Sequence, residues 1–381
     1  MPIQRSLRIF ASLAAILAGA VAPAKVLAND FGQINLVSDI PGNAALTDPN
    51  LVDPWGVSFS GTSPFWISDN VTNLATLYTG TPSINSTVVN VPGGPTGQVN
   101  NGNSSAFIIA ADGKAANFIF DTQAGTILAW NGSIGSTAAT VYTNSAASYT
   151  GLAIGASGGN SYLYAANQAG SIDVFNSSFA NVNGTTFAGK FVDPSLPKGY
   201  VPYNIQAIGS QLYVTYVVYD SGGNETPSGI VDIYDMSGNF ISRFSSSSEL
   251  DAPWGITLAP STFGAFGGDI LIGNFLNGEI NAFDPVTGAY LGTLDGSNGL
   301  PIADPGLWAL EFRTGGTGDS TNALYFTAGI DDETHGLFGE IAPAPEPAPF
   351  FLAGMGVLVL AFARLRRGNA APRLATDGDI G

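Results

Sequence analysis

Short apolar runs separated by turn residues cover most of the chain, and the clearest set lies at 252–296. Trp254–Leu258, Asp269–Asn274, Glu279–Phe283 and Ala289–Leu294 are each bounded by Gly, Pro, Asn or Asp. Runs of this length, rich in Ile, Leu, Phe and Tyr, fit strands. None sustains the 3.6-residue stripe of an amphipathic helix. Four strands joined by tight turns predict a meander, the repeating unit of a β-propeller blade.

The same grouping recurs along the chain. Aligning the first run of each group places starts near 54, 105, 150, 202, 253 and 307, a spacing that suits a long propeller blade. The second group is expected to use Ala106–Ala110, Asn117–Asp121, Thr126–Trp130 and Ala139–Tyr142 as its strands. The sixth has Leu307–Phe312, Ala323–Gly329 and Gly336–Ile341 but no fourth run, while a spare run, Gln33–Val37, precedes the first group. Pairing that spare strand beside Leu337–Ile341 would close the ring and protect its open edge. The expected fold is therefore all-β. It is a six-bladed propeller of four-stranded antiparallel blades spanning 29–342 and closed by an N-terminal strand, with seven blades the alternative count.

Composition agrees with frequent chain reversal, since 49 of 381 residues are Gly and Gly accepts φ > 0 in tight turns. No cysteine is present, which excludes disulfides, zinc–thiolate sites and thiol nucleophiles. The net charge is −17, and residues 29–344 keep five basic residues against 26 acids, a balance of −21. A nucleic-acid partner needs Lys and Arg to neutralise phosphates, so it is excluded on charge. Divalent cations and neutral sugars are compatible.

Candidate chemistry is sparse. Trp55-Gly56, Trp254-Gly255 and Trp308-Ala309 repeat at one blade position, with Tyr203-Asn204 a looser copy. These aromatics read as wedges between blades or as a ring that stacks sugars at the channel mouth. Asp69, Asp121, Asn167, Asp220 and Asn274 recur where second strands end. They read as turn residues or, for Asp69, Asn167 and Asn274, as oxygen ligands converging on a Ca²⁺. The single His335 lies in the turn Asp331–Gly336, with no nucleophile or orienting partner identifiable. No G-x-S-x-G elbow, P-loop or HExxH is present.

The two ends differ from the body. Residues 1–28 read as a signal peptide, with Arg5 and Arg8 before the apolar run Ile9–Ala22 and a cut before Asn29, or after Ala24. At the other end a Pro-rich linker, 343–349, leads into an uncharged stretch read as a membrane helix over 350–363, followed by a basic tail, 364–381. Pro345-Glu346-Pro347, a short apolar helix, then Arg364, Arg366 and Arg367, resemble the PEP-CTERM sorting signal. The resemblance implies an exosortase and the export machinery as partners. It also implies a membrane-anchored precursor and delivery to the surface or exopolysaccharide matrix of a Gram-negative bacterium. The body over 35–341, marked by LVSDIPGNAALTDPNLVDPWGVSFS, PFWISDN, APWGITLAPSTFG and HGLFGEI, is similar to an uncharacterised bacterial family that often carries this tail. That similarity implies no catalytic residues.

Two functions are consistent with these features. One is a non-enzymatic surface or matrix protein that needs no cofactor and binds glycan or protein through a propeller face. The other is a Ca-dependent hydrolase of the lactonase or phosphoesterase type, with oxygens converging on the axis.

Overall fold

Alternating turns and apolar runs fold into six sheets arranged as the blades of a propeller. The computed structural model describes residues 30–313 and 319–344, and its one helical element among them is a 3-10 turn at Gly264–Phe266. Blade one is built from Pro54–Ser58, Phe65–Asp69, Leu74–Tyr78 and Val89–Asn90. Blade five repeats it with Pro253–Leu258, Ile270–Asn274, Ile280–Phe283 and Tyr290–Thr293. Second strands such as Phe65–Asp69 and Ile270–Asn274 are buried at every position, because blades cover both of their faces. The outermost strand Tyr290–Thr293 is half exposed.

The first strands contact one another in a closed ring, with Leu307–Phe312 of blade six packed against Pro54–Ser58 of blade one. Crowding at this ring explains its glycines. A Cβ on Gly56 would lie 2.5 Å from the Thr96 carbonyl oxygen, and one on Gly255 would lie 2.4 Å from that of Trp308. Closure occurs as the spare run implied. Asp30–Ser38 pairs antiparallel with Leu337–Pro343, from Phe31 opposite Pro343 to Ser38 opposite Leu337, with a bulge between Asn35 and Val37.

Two blades depart from the sequence expectation. Blade two opens with Pro95–Asn100, paired to Phe118–Thr122, and not with Ala106–Ala110. Ile108–Ile109 of that run instead forms a separate ribbon with Lys114–Ala115, and Phe107 packs on Phe179 beyond blade three. The displaced strand is polar, and polar partners bury it. Gln98 Nε2 donates to the carbonyls of Gly56 (2.7 Å) and Trp66 (2.8 Å), and Thr96 Oγ1 donates to Asp121 Oδ1 (2.7 Å). Blade three has three strands, Tyr149–Ser157, Asn160–Asn167 and Ser171–Asn176. The loop after it covers the outer edge, where Val182 N donates to the Val174 carbonyl at 2.9 Å, and sets Phe187 edge-on against Tyr162 and Tyr164 of the middle strand.

The segments read as a signal peptide (1–28) and as a membrane helix (350–363) lie outside the described residues. Among the described residues no helix is long and apolar enough to cross a membrane.

Candidate functional site

Three of the first strands begin with a residue at positive φ: Asp53 (49°), Ala252 (52°) and Gly306 (85°). Each is followed by a register bulge spanning the tryptophan, between Pro54 and Val57, Pro253 and Ile256, and Leu307 and Leu310. A bulge re-aims side chains out of strict alternation, and here all three indoles meet. Trp55 stacks on Trp308 at 3.5 Å between ring centroids, and Trp254 sets its edge against both at 6.2 and 5.7 Å. Phe275 lies 4.4 Å from Trp308 and Tyr203 6.0 Å from it. The tryptophans, read as inter-blade wedges or as a sugar-stacking ring, are thus brought together and buried, with Trp308 at 0% exposure and their faces covered by one another.

Asp53 holds this plug. Its Oδ2 accepts from Trp55 Nε1 at 2.8 Å and its Oδ1 from Trp308 Nε1 at 3.0 Å, while Trp254 Nε1 donates to the Thr150 carbonyl at 2.9 Å. Burial pushes the Asp53 carboxyl up to about 6, against the lowering effect of the two indole donors. Sequence reading missed Asp53. Its signal lay in Asp53-Pro54-Trp55-Gly56 set against Ala252-Pro253-Trp254-Gly255, where only one copy carries an acid.

Beside the plug, between blades five and six, opens a cavity of about 510 Å³. Phe275 and Leu276 line one side, and Asp304, Asp331, Asp332 and Glu333 supply its polar rim. No basic side chain lines it. Asp331, Asp332 and Glu333 all adopt positive φ, at 53°, 54° and 62°. Consecutive left-handed residues are costly for L-amino acids and are held only where surrounding contacts enforce them. Burial, reinforced by the charges of Asp53, Glu225 and Asp332, pushes Glu333 up to about 8. Burial also raises Asp304, opposed by the hydrogen bond that Gln33 Nε2 donates to it at 3.1 Å. Tyr203 donates to Glu225 Oε1 at 3.3 Å, which ties a second acid, after Asp53, to the edge of the plug.

The strand-end residues do not gather. Asp69 is fully buried in blade one with neither oxygen in an aligned hydrogen bond, and burial raises it well above the carboxylate range. Asn167 in blade three accepts from the backbone of Ser148 (3.2 Å) and Ala169 (3.0 Å). Asn274 in blade five accepts from Asp251 N (3.0 Å) and donates to the Glu249 carbonyl (2.8 Å). Both amides are therefore engaged in holding loops. Among the described residues no group of three or more His, Cys, Asp or Glu is placed to hold a metal ion. His335 Nδ1 lies 2.6 Å from Asp39 Oδ2, and that hydrogen bond raises its pKa. The Gly336 amide donates to the other oxygen of Asp39 at 2.8 Å, so this pair links the two closing strands.

These acids set a pH dependence. Glu311 and Asp121 are also pushed up by burial, to about 8 and about 7. Between the ordinary carboxylate range and these values the folded chain binds more protons than the unfolded one, so stability falls as pH rises. Asp220 and Asp284 act oppositely, held low first by the backbone amides of Asn224 and Thr287. Their contribution is kept above about pH 4 and lost below it. We expect Tm to be highest near pH 5 and several degrees lower at pH 8.5 by scanning calorimetry. A Tm that is flat or rising over that interval would refute the assignment.

Over 342 residues the chain is 31% identical to "Uncharacterized protein R648" of Acanthamoeba polyphaga mimivirus, covering 83% of each chain. The chain belongs to the R648 family. A second mimivirus protein, "Uncharacterized protein L690", is 29% identical over 325 residues, covering 80% of this chain and 84% of the relative. No protein-family model matches the chain. Membership of the R648 family corrects the bacterial PEP-CTERM reading. The tail half of that reading rested on a few residues, Pro345, Glu346, Pro347, Arg364, Arg366 and Arg367, which lie outside the described residues; the body half, over 35–341, pointed to a bacterial family, whereas the match is to mimivirus proteins. A Pro-rich stretch, an apolar stretch and three arginines are common enough to recur by composition, whereas a match over four-fifths of two chains is not. Among solved structures, the chain resembles a structural genomics protein of unknown function from Bacteroides thetaiotaomicron VPI-5482. Identity is 12%, the TM-score is 0.53, and the match covers 82% of this chain and 76% of that one. That likeness supports the propeller fold seen in the R648 family member described here.

Proposed function

We propose that the protein is a non-catalytic binding propeller whose cavity beside the tryptophan plug takes a neutral glycan. The observation that carries this reading is an acid-rimmed, aromatic-walled cavity of about 510 Å³, within the usual size range of small-molecule sites. Carboxylates accept hydrogen bonds from sugar hydroxyls, and Phe275 offers an apolar flank to a sugar ring. With four acids and no base around the cavity, anionic glycans are repelled. The apolar run at Ile9–Ala22 behind Arg5 and Arg8 supports action outside the cell membrane, where such ligands are found. The Ca-dependent hydrolase reading is less favoured, because the Asn167 and Asn274 amides it needs are engaged in holding loops.

The test is a screen of neutral oligosaccharides followed by calorimetric titration of the best hit. Phe275→Ala and Glu333→Gln should each weaken binding by about tenfold, a loss of roughly 1.4 kcal/mol. Unchanged affinity in both variants, or a screen that returns only acidic sugars, would reject this site. Capture of a protein ligand that the same two variants abolish would keep the site and change the ligand class.

A further inference from the structure

The opposite end of the axis carries a second constellation, which reaches the tryptophan plug at Trp254. There the first strands end, and their side chains frame a pocket of about 270 Å³ that includes Val57, Gln98, Leu152, Ile154, Gln206 and Glu311. A void of about 20 Å³, sharing Val57, Gln98, Leu152, Gln206 and Glu311, continues from it along the axis. Gln98 is fully committed, donating to the carbonyls of Gly56 and Trp66 and accepting from Ser58 Oγ at 3.2 Å. Glu311 is not. It accepts one hydrogen bond, from Gln206 Nε2 at 3.3 Å. No other ionisable side chain lines either space. Arg313, two residues further on, pairs with Asp319 at 2.5 Å and lies over the rings of Phe65 and of Phe59, the latter a wall of the larger pocket.

A carboxyl in a pocket of mixed amide and apolar side chains, with no cation among the lining residues, is a counter-ion without its ion. We propose that this pocket binds a small compound bearing a primary ammonium group, with Glu311 as its counter-ion. The Gln206 side-chain oxygen is an acceptor for a second N–H of the ammonium, and Val57, Leu152 and Ile154 pack its carbon skeleton. A divalent cation fits less well, since Ca²⁺ takes 6–8 oxygen ligands and Glu311 is the one acid among the lining residues. Burial pushes Glu311 up to about 8, so at neutral pH the empty site holds a proton. Binding an ammonium ion displaces it to solvent. Affinity should then rise with pH below about 8, up to tenfold per unit, as long as the amine itself stays protonated.

The experiment is calorimetric titration of the full chain with butylammonium chloride at pH 6, 7 and 8, each in two buffers of different ionisation enthalpy. The expected result is binding that tightens with pH, with close to one proton released per site at pH 6. Glu311→Gln should lose at least tenfold in affinity and all of the proton release, while 1-butanol binds at least tenfold more weakly than the amine. Ile154→Trp, which fills the pocket mouth and leaves the carboxyl in place, should also abolish binding and guards against a folding defect in the first variant. Glu333→Gln, at the other end of the axis, should leave amine binding unchanged. No detectable heat, equal affinity in Glu311→Gln, or 1-butanol binding as tightly as the amine would each overturn the proposal.

Discussion

Replacing Gly97 with alanine should abolish cooperative folding. Gly97 lies in the polar innermost strand of blade two, where it faces the first strand of blade three. A Cβ there would sit 2.2 Å from Leu152 N, 2.7 Å from Gly151 C and 2.9 Å from Gly151 Cα. All three atoms are backbone in a first strand of the ring, so no side chain can rotate to make room. Relief would require the blades to separate, which would also loosen Gly151 against Asn204 at the next junction. Overpacking at yielding sites costs roughly 1–3 kcal/mol. A clash between two backbones in a closed ring should exceed about 4 kcal/mol, a large share of the 5–15 kcal/mol that typical domains possess. Urea unfolding followed by circular dichroism measures this directly. Gly61→Ala is the control, because nothing lies within 4 Å of its Cβ position and its φ is not positive. It should stay within about 0.5 kcal/mol of the parent. A Gly97→Ala protein with a parental midpoint would mean that the axis is looser than described.

Deleting the chain through Ser38 should have an effect of similar size. The deletion removes the fourth strand of blade six and leaves Leu337–Pro343 as an open edge with unpaired backbone groups. It also removes Phe31, Leu36 and Val37, which are at most 1% exposed. Each buried side chain of this kind contributes roughly 1.5–3 kcal/mol. The His335–Asp39 pair would lose the strand that places Asp39. The truncated chain should be insoluble or lack a cooperative thermal transition. A peptide spanning residues 30–47, added in trans, should restore it by strand addition at the open edge. A truncated chain that melts like the parent would show that closure contributes little.

Much of the candidate site was hidden in the sequence for a specific reason. The tryptophans at 55, 254 and 308 could be aligned, but a repeat gives no direction for a side chain at a bulge. Only the register shifts after Pro54, Pro253 and Leu307 turn the three indoles onto one another. Asp53 reads locally as a turn residue, and its partner Trp308 is 255 residues away. Glu311 reads as one acid in an apolar run. Its importance comes from four other blades, which surround it with amides and apolar side chains and no charge.

What the sequence determined by itself is the blade as a unit. Run length, turn residues and their spacing gave all-β meanders, the number of blades and the pairing of Gln33–Val37 with the last strand, because those depend on local periodicity and on the need to cover a sheet edge. The first strand of blade two was decided by tertiary structure alone. Pro95–Asn100 has no apolar run to announce it, and it is buried because Gln98 and Thr96 find carbonyl and carboxyl partners in neighbouring strands. The apolar Ile108–Ile109, which looked like that strand, was free to leave the blade and form a ribbon with Lys114–Ala115. Hydrophobic pattern reports which residues avoid water. It does not report which polar residues can be satisfied away from water, since that depends on partners brought close only by the closed ring.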